Sequence, residues 1–350
     1  MRVGLLTPQS ILPLWVNSQV PVLDRLSPVA PKYLVWQRNP WRFKGESFTQ
    51  FVDRVQWIDG LLGINLNVVD PITDAGSIVW PQNLLSLEFG DLFNQSLAPF
   101  VWPKKLKSLT FGLMFQDCLT GTVLPDGLEK LVLGKYYNSP IVDVVFPTAL
   151  KTLILGQSFN CEISGIDLPD SLETIFFGLK FNKPIDDVEW PKFLKKLWFA
   201  GIKKQSLTTV KFPDSLEDLV LGGSFEGPVE GVQWSGLKRL MLGPIFDSPI
   251  DNVEWSSSLE ILDLGAVFSH APVNLPKSLR KLSLGVKTPI LDVVWPDSLL
   301  EITFGDSFDQ SIIGVRWPKN LKVLVLGKSF SNDCTSSAVK LPKSVEVVMF

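Results

Sequence analysis

The sequence predicts a mainly β solenoid of about fourteen coils, each 20–24 residues long, with parallel stacked strands and little helix. Three observations predict it. Prolines recur 22 residues apart at Pro81, Pro103, Pro125, Pro147, Pro169, Pro191 and Pro213; Ser235 and Ser256 take the next two turns of that slot, and Pro276, Pro296, Pro318 and Pro342 follow. Nine residues after most of these stands a glycine, from Gly90, Gly112 and Gly134 through Gly305 and Gly327. Three, six and eight places after the proline the side chain is apolar, as in Leu106, Leu109 and Phe111 or Leu150, Leu153 and Leu155. A fixed period of this length marks a repeat architecture, whose core grows coil by coil, so 350 residues need not mean several domains.

The proline-to-glycine stretch is nearly constant in length, whereas the return from glycine to the next proline is usually 13 residues but ranges from 11 to 15. Constant length marks the segment that stacks in register, and variable length marks the exposed return. The last two apolar positions before the glycine alternate with an outward residue, as in a strand with one buried face. An aromatic follows three after the glycine (Phe93, Phe115, Tyr137, Phe159, Phe181). A second alternating pair closes the return, such as Val188 and Trp190 or Val293 and Trp295. The pattern therefore predicts two short strands and two corners per coil.

Gly45, Phe48, Val55 and Trp57 match the same spacing, with Ile58 in the proline slot and Asn67 in the glycine slot. Two segments result: an irregular proline- and tryptophan-rich cap over residues 1–44 and one continuous repeat domain over 45–350. The last coil stops at Phe350, before its glycine slot, so Val345, Val348 and Phe350 are a candidate assembly edge.

Composition excludes several function classes. Net charge is −3, which argues against nucleic acid as a partner. No stretch approaches the ~18 apolar residues of a membrane helix, and no cleavable leader is read at the start. Cys118, Cys161 and Cys334 are an odd count without metal-ligand spacing and read as free thiols. The expected compartment is intracellular, or the interior of an assembled particle. His270 has no catalytic or ligating companions nearby in sequence. No cofactor or metal is expected, nor a small-molecule site. The glycines form no phosphate loop, and eight of the twelve Trp share a column with Leu and Phe, which reads as core filling.

The repeated text resembles FNIP repeats, a leucine-rich-repeat relative of amoebae, other protists and giant viruses. The motif stands as FNKPI at 181–185, with YNSPI at 137–141, FDSPI at 246–250, FNCEI at 159–163 and FEGPV at 225–229, and is lost at 201–204 and 285–290. The resemblance implies a leucine-rich-repeat-like fold and a recognition role, and it carries no catalytic residues.

Two columns stand out. The fourth residue after the proline slot (the third after Ser235) alternates in sign: Lys107, Glu129, Lys151, Glu173, Lys195, Glu217, Lys238, Glu260, Arg280. This is expected to be a structural charge ladder between coils about 4.8 Å apart, inherited from a two-coil duplication. Asn94, Asn138, Asn160 and Asn182 share another slot and are expected to bond loop backbone. The outward strand position reads Val132, Ile154, Phe176, Trp198, Val220 and Met241 on six consecutive coils, an apolar stripe proposed as the contact for a protein partner or for self-association.

The sequence thus points to a non-enzymatic interaction or scaffold protein. The alternatives are a structural subunit of a virus particle or multiprotein complex and, less favoured, a carbohydrate-active parallel β-helix using Asp218 and Asp263 as paired acids.

Overall fold

The computed structural model describes residues 33–37, 62–67, 72, 75–203, 205–331, 339–343 and 345–349. Most of the 1–44 segment, the coil containing Gly45, Phe48, Val55, Trp57 and Ile58, and both Cys334 and Phe350 lie outside these residues.

The chain divides into two compact units, one within Pro13–Lys183 and one within Pro184–Phe350. The first carries β1 (Tyr33–Gln37), β2 (Gly63–Asn67), β3 (Ser86–Phe89), β4 (Ser108–Thr110), β5 (Lys130–Val132), β6 (Thr152–Ile154) and β7 (Thr174–Phe177). The second carries β8 (Lys196–Phe199), β9 (Asp218–Leu221), β10 (Arg239–Met241), β11 (Ile261–Asp263), β12 (Lys281–Leu284), β13 (Glu301–Phe304), β14 (Val323–Leu326) and β15 (Glu346–Met349). Within each unit every strand pairs in parallel with the next in sequence, and equivalent residues are partners, as Leu109↔Leu131 and Leu131↔Leu153. The fold is a leucine-rich-repeat-like solenoid. Among the described residues the sole helical element is a 3₁₀ turn at Ala75–Ser77.

The strand β1 lies inside the segment expected to be irregular. Its sequence, YLVWQ, is rich in β-favouring residues, and it extends the ladder by pairing Tyr33 with Gly63 and Gln37 with Asn67.

Within each unit every coil closes a slice of the core. Leu106, Leu109, Leu128, Leu131 and Leu150 are fully buried. The aromatics after the glycine are also fully buried and stack as rings: Phe93, Phe115, Tyr137, Phe159 and Phe181 follow one another at centroid separations of 5.9–6.3 Å. Phe225, Phe246 and Phe268 repeat this in the second unit at 6.1 Å. Each such ring contributes roughly 1.5–3 kcal/mol by burial. Where the Phe-Asn pair is lost, Ile202 and Val286 fill the core, both fully buried.

The glycine slot is set by space. A Cβ on Gly134 would collide with the carbonyl oxygen of Gly112, the equivalent residue one coil earlier. Gly265, where the coil length changes, has φ +83° and needs glycine for its conformation as well.

Among the described residues the expected second strand does not form. The return segments of neighbouring coils are not joined by a β-ladder, because each contains its own tight turn, as in Phe100 N–H to Leu97 O and Thr122 N–H to Leu119 O. Alternating burial survives without the ladder: Val188 and Trp190 are both buried. Indole N–H groups replace some of the lost bonds, with Trp80 donating to Val101 O at 2.7 Å and Trp102 to Val123 O at 2.9 Å. One strand per coil also separates this chain from the parallel β-helix alternative.

Candidate interaction surface

The strands present two outward columns, their first and third residues, while the second points into the core. In the first unit the third-position residues Val132, Ile154 and Phe176 are in register and half-buried. In the second unit Trp198 is half-buried, whereas Val220 and Met241 are buried, at 3% and 7% exposure. The predicted stripe is therefore not a freely exposed one. Side chains one strand spacing apart cover each other's flanks, and long neighbours cover the rest.

The long neighbour is Arg239. Its register partner on β9 is Asp218. Nη1 of Arg239 donates to both carboxylate oxygens of Asp218, at 3.0 and 3.2 Å. Its Nη2 lies 2.8 Å from Met241 Sδ, and the guanidinium stands 5.5 Å from the Trp198 ring centroid. One arginine thus ties together three strands and lies against Met241. The ion pair is itself mostly shielded, with side-chain exposures of 18% for Arg239 and 14% for Asp218.

Asp218 and Asp263 were candidates for paired catalytic acids. The structure gives each a separate task. Asp218 pairs with Arg239, which stands on the strand between β9 and β11. Asp263 accepts the Gly265 N–H at 2.8 Å, fixing the turn that ends β11. Burial pushes both carboxyls above their ordinary value, and Arg239 pulls both down.

The charge column is built as follows. Lys107 and Lys151 each contact Glu129 at 2.9 Å, and Lys238 contacts Glu217 at 2.9 Å. The two lysines hold the Glu129 carboxyl below its ordinary value, and Glu129 raises Lys151. Backbone bonds run up the same column, as Glu129 N–H to Lys107 O and Lys151 N–H to Glu129 O, both 2.8 Å. Further along, Glu260 and Arg280 form no ion pair among the described residues. Their two coils are each two residues shorter than the usual 22, and the corner opens into a shallow cleft of about 520 Å³ lined by Lys238, Glu260, Arg280, Leu300 and serines. The asparagine column bonds loop backbone: Asn94, Asn138 and Asn160 accept the N–H groups of Gln116, Asn160 and Asn182 at 2.8–2.9 Å.

His270 Nε2–H donates to Asp247 O at 2.9 Å, and the ring packs on Phe268. Cys118 is exposed, and the Cys161 thiol is pushed up by burial and lies 3.2 Å from Asn138 O. Among the described residues no group of His, Cys, Asp or Glu is placed to hold a metal ion, and no helix is long and apolar enough to cross a membrane.

One apolar feature escaped the sequence reading. Two residues before the proline stand Val79, Val101, Val123 and Val145, on four consecutive coils of the first unit, with exposures of 73, 62, 81 and 82%. The next two coils carry Asp167 and, in the second unit, Glu189. The signal was available as a column of identical β-branched residues.

The FNIP Repeat family matches residues 77–114 and 137–180. Among solved structures, the chain is similar to CroV588, a giant-virus protein described as a novel circular leucine-rich-repeat structure: 26% identity, TM-score 0.52, covering 83% of this chain and 53% of that one. The chain thus spans about half the length of CroV588. It is also similar to the protein of a TLR13–ssRNA13 complex (16% identity, TM-score 0.48, 82% of this chain and 48% of that one) and to a leucine-rich-repeat protein from Bacteroides ovatus (14%, 0.19, 83% and 75%). No curated protein matches the sequence.

Proposed function

We propose that this chain is a non-catalytic recognition protein that binds a protein partner through the outward face of its strand ladder. Leucine-rich-repeat-like folds generally mediate protein–protein interaction and are typically non-enzymatic. The observation that carries the reading is the Trp198–Arg239–Asp218 arrangement. Tryptophan and arginine dominate the energetics of protein interfaces, and a ring held by a clamped guanidinium loses little side-chain freedom when a partner arrives. Val132, Ile154 and Phe176 offer a second apolar face in the other unit. Val220 and Met241 are too buried to be contacts themselves, and Met241 supports Arg239.

The test is affinity capture from an extract of the native host, comparing wild type with Trp198→Ser and with Phe176→Ser. A protein retained by wild type and lost with either substitution, while circular dichroism is unchanged, supports the reading. Equal retention by all three proteins contradicts it.

A further inference from the structure

The four valines form a column outside the strands, one per coil at a spacing of 22 residues. Their coils are locked side by side: Trp80 and Trp102 each donate to the carbonyl of the next coil's valine, Val101 and Val123. Each valine is exposed and is followed by a less exposed residue: Trp80, Leu124 and Phe146 are buried and Trp102 is half-buried. Three residues after each valine, beyond the proline, comes a second exposed column: Gln82, Lys104, Asp126 and Thr148. Lys104 and Asp126 have no side-chain hydrogen bond or ion pair among the described residues.

We infer that the Val79–Val101–Val123–Val145 column is a self-association surface, taking a second copy of this chain across a two-fold axis. A column of identical residues at even spacing is complementary to its own reverse, which is what an isologous contact requires. With the axis between the coils of Val101 and Val123 and perpendicular to the column, Val79 meets Val145 of the other copy and Val101 meets Val123. The same operation sets Lys104 opposite Asp126 twice and Gln82 opposite Thr148. The other two-fold, along the column, carries Lys104 and Asp126 to the far side of the valines, where the chain three residues upstream has Ala98 and Thr120, which offer no charge. Charge complementarity therefore selects the antiparallel arrangement.

Area sets the strength. Four mostly exposed valines supply on the order of a few hundred Å² of apolar surface, below the ~800 Å² per partner of a standard stable interface. The dimer is weak and concentration-dependent, not permanent.

Sedimentation of the full chain over a wide concentration range tests this. The wild-type average mass rises towards that of a dimer. Val101→Asp combined with Val123→Asp stays monomeric with an unchanged unfolding midpoint. Lys104→Glu alone and Asp126→Lys alone each weaken association about tenfold, since each change sets two like-charge pairs across the axis, and the double reversal restores it to within about threefold. A wild type that stays monomeric at every concentration, including one that instead binds phosphatidylcholine vesicles through the valines, overturns the inference. So does a dimer indifferent to the valine substitutions, or a double reversal that fails to rescue.

Discussion

Arg239 on β10 holds its guanidinium 5.5 Å from the ring centroid of Trp198 on β8, two strands away, while bonded to Asp218 on the strand between them. The contact is diagonal: Arg239 occupies the first outward position of its strand and Trp198 the third. Only a long side chain spans that distance, and on the way it meets Met241 Sδ.

Replacing Arg239 with Met leaves the shielded Asp218 carboxylate without its main partner. Unfolding in urea should show a loss of about 2–4 kcal/mol, and adding Asp218→Leu should recover most of it, because a well-packed apolar pair replaces a shielded ion pair at little cost. No recovery in the double variant would mean that the arginine acts through packing on Trp198 alone.

Asp263 makes a prediction with a definite sign. Burial raises its carboxyl in the folded state. Between the ordinary aspartate value and that raised value the folded chain binds more protons than the unfolded one, so this residue's contribution to stability falls as pH rises. Asn keeps an oxygen for the Gly265 N–H without a charge. Asp263→Asn should unfold later than wild type near neutrality, and the difference should close as pH falls to the ordinary carboxylate range. A variant less stable at neutral pH would contradict this.

Space and dihedral angle can be separated with two glycines. Gly134→Ala drives a Cβ into the Gly112 carbonyl and should cost about 3 kcal/mol, since backbone on both sides cannot move away. Gly121 has φ +77° with nothing within 4 Å, so Gly121→Ala should cost only about 1–2 kcal/mol. Chemical denaturation of both variants checks the order.

Glu129 stands between two lysines at 2.9 Å each. Glu129→Lys stacks three cations, and the unfolding midpoint should drop in low salt. Because the two lysines are exposed and position 129 is partly so, the deficit should shrink at high salt. A deficit independent of salt would mean that the substitution acts through something other than charge.

Much of this was legible in the sequence because the repeat is regular. Leu109, Leu131 and Leu153 recur at one spacing, so their common burial could be read from punctuation alone. The Phe column was legible as apolar, and its ring stacking follows from coil spacing. The second strand was misread because alternating burial at Val188 and Trp190 looks the same with or without a ladder; the turn within the return decides. The Asp218–Arg239 pair was hidden by a coil one residue shorter, which shifts the charge register from 22 to 21. Burial of Val220 and Met241 was hidden because it depends on how long side chains lie across the strand face, which spacing alone does not show.

The in-register parallel stack underlies all of these arguments, and cysteine trapping tests it most directly. With Cys118, Cys161 and Cys334 replaced by Ser, Thr152→Cys and Thr174→Cys should form a disulfide readily, because they are register partners on β6 and β7 at a separation of about 4.8 Å. Thr152→Cys with Phe176→Cys, two residues out of register, should not. Preferential closure of the second pair would show that the coils are stacked in a different register.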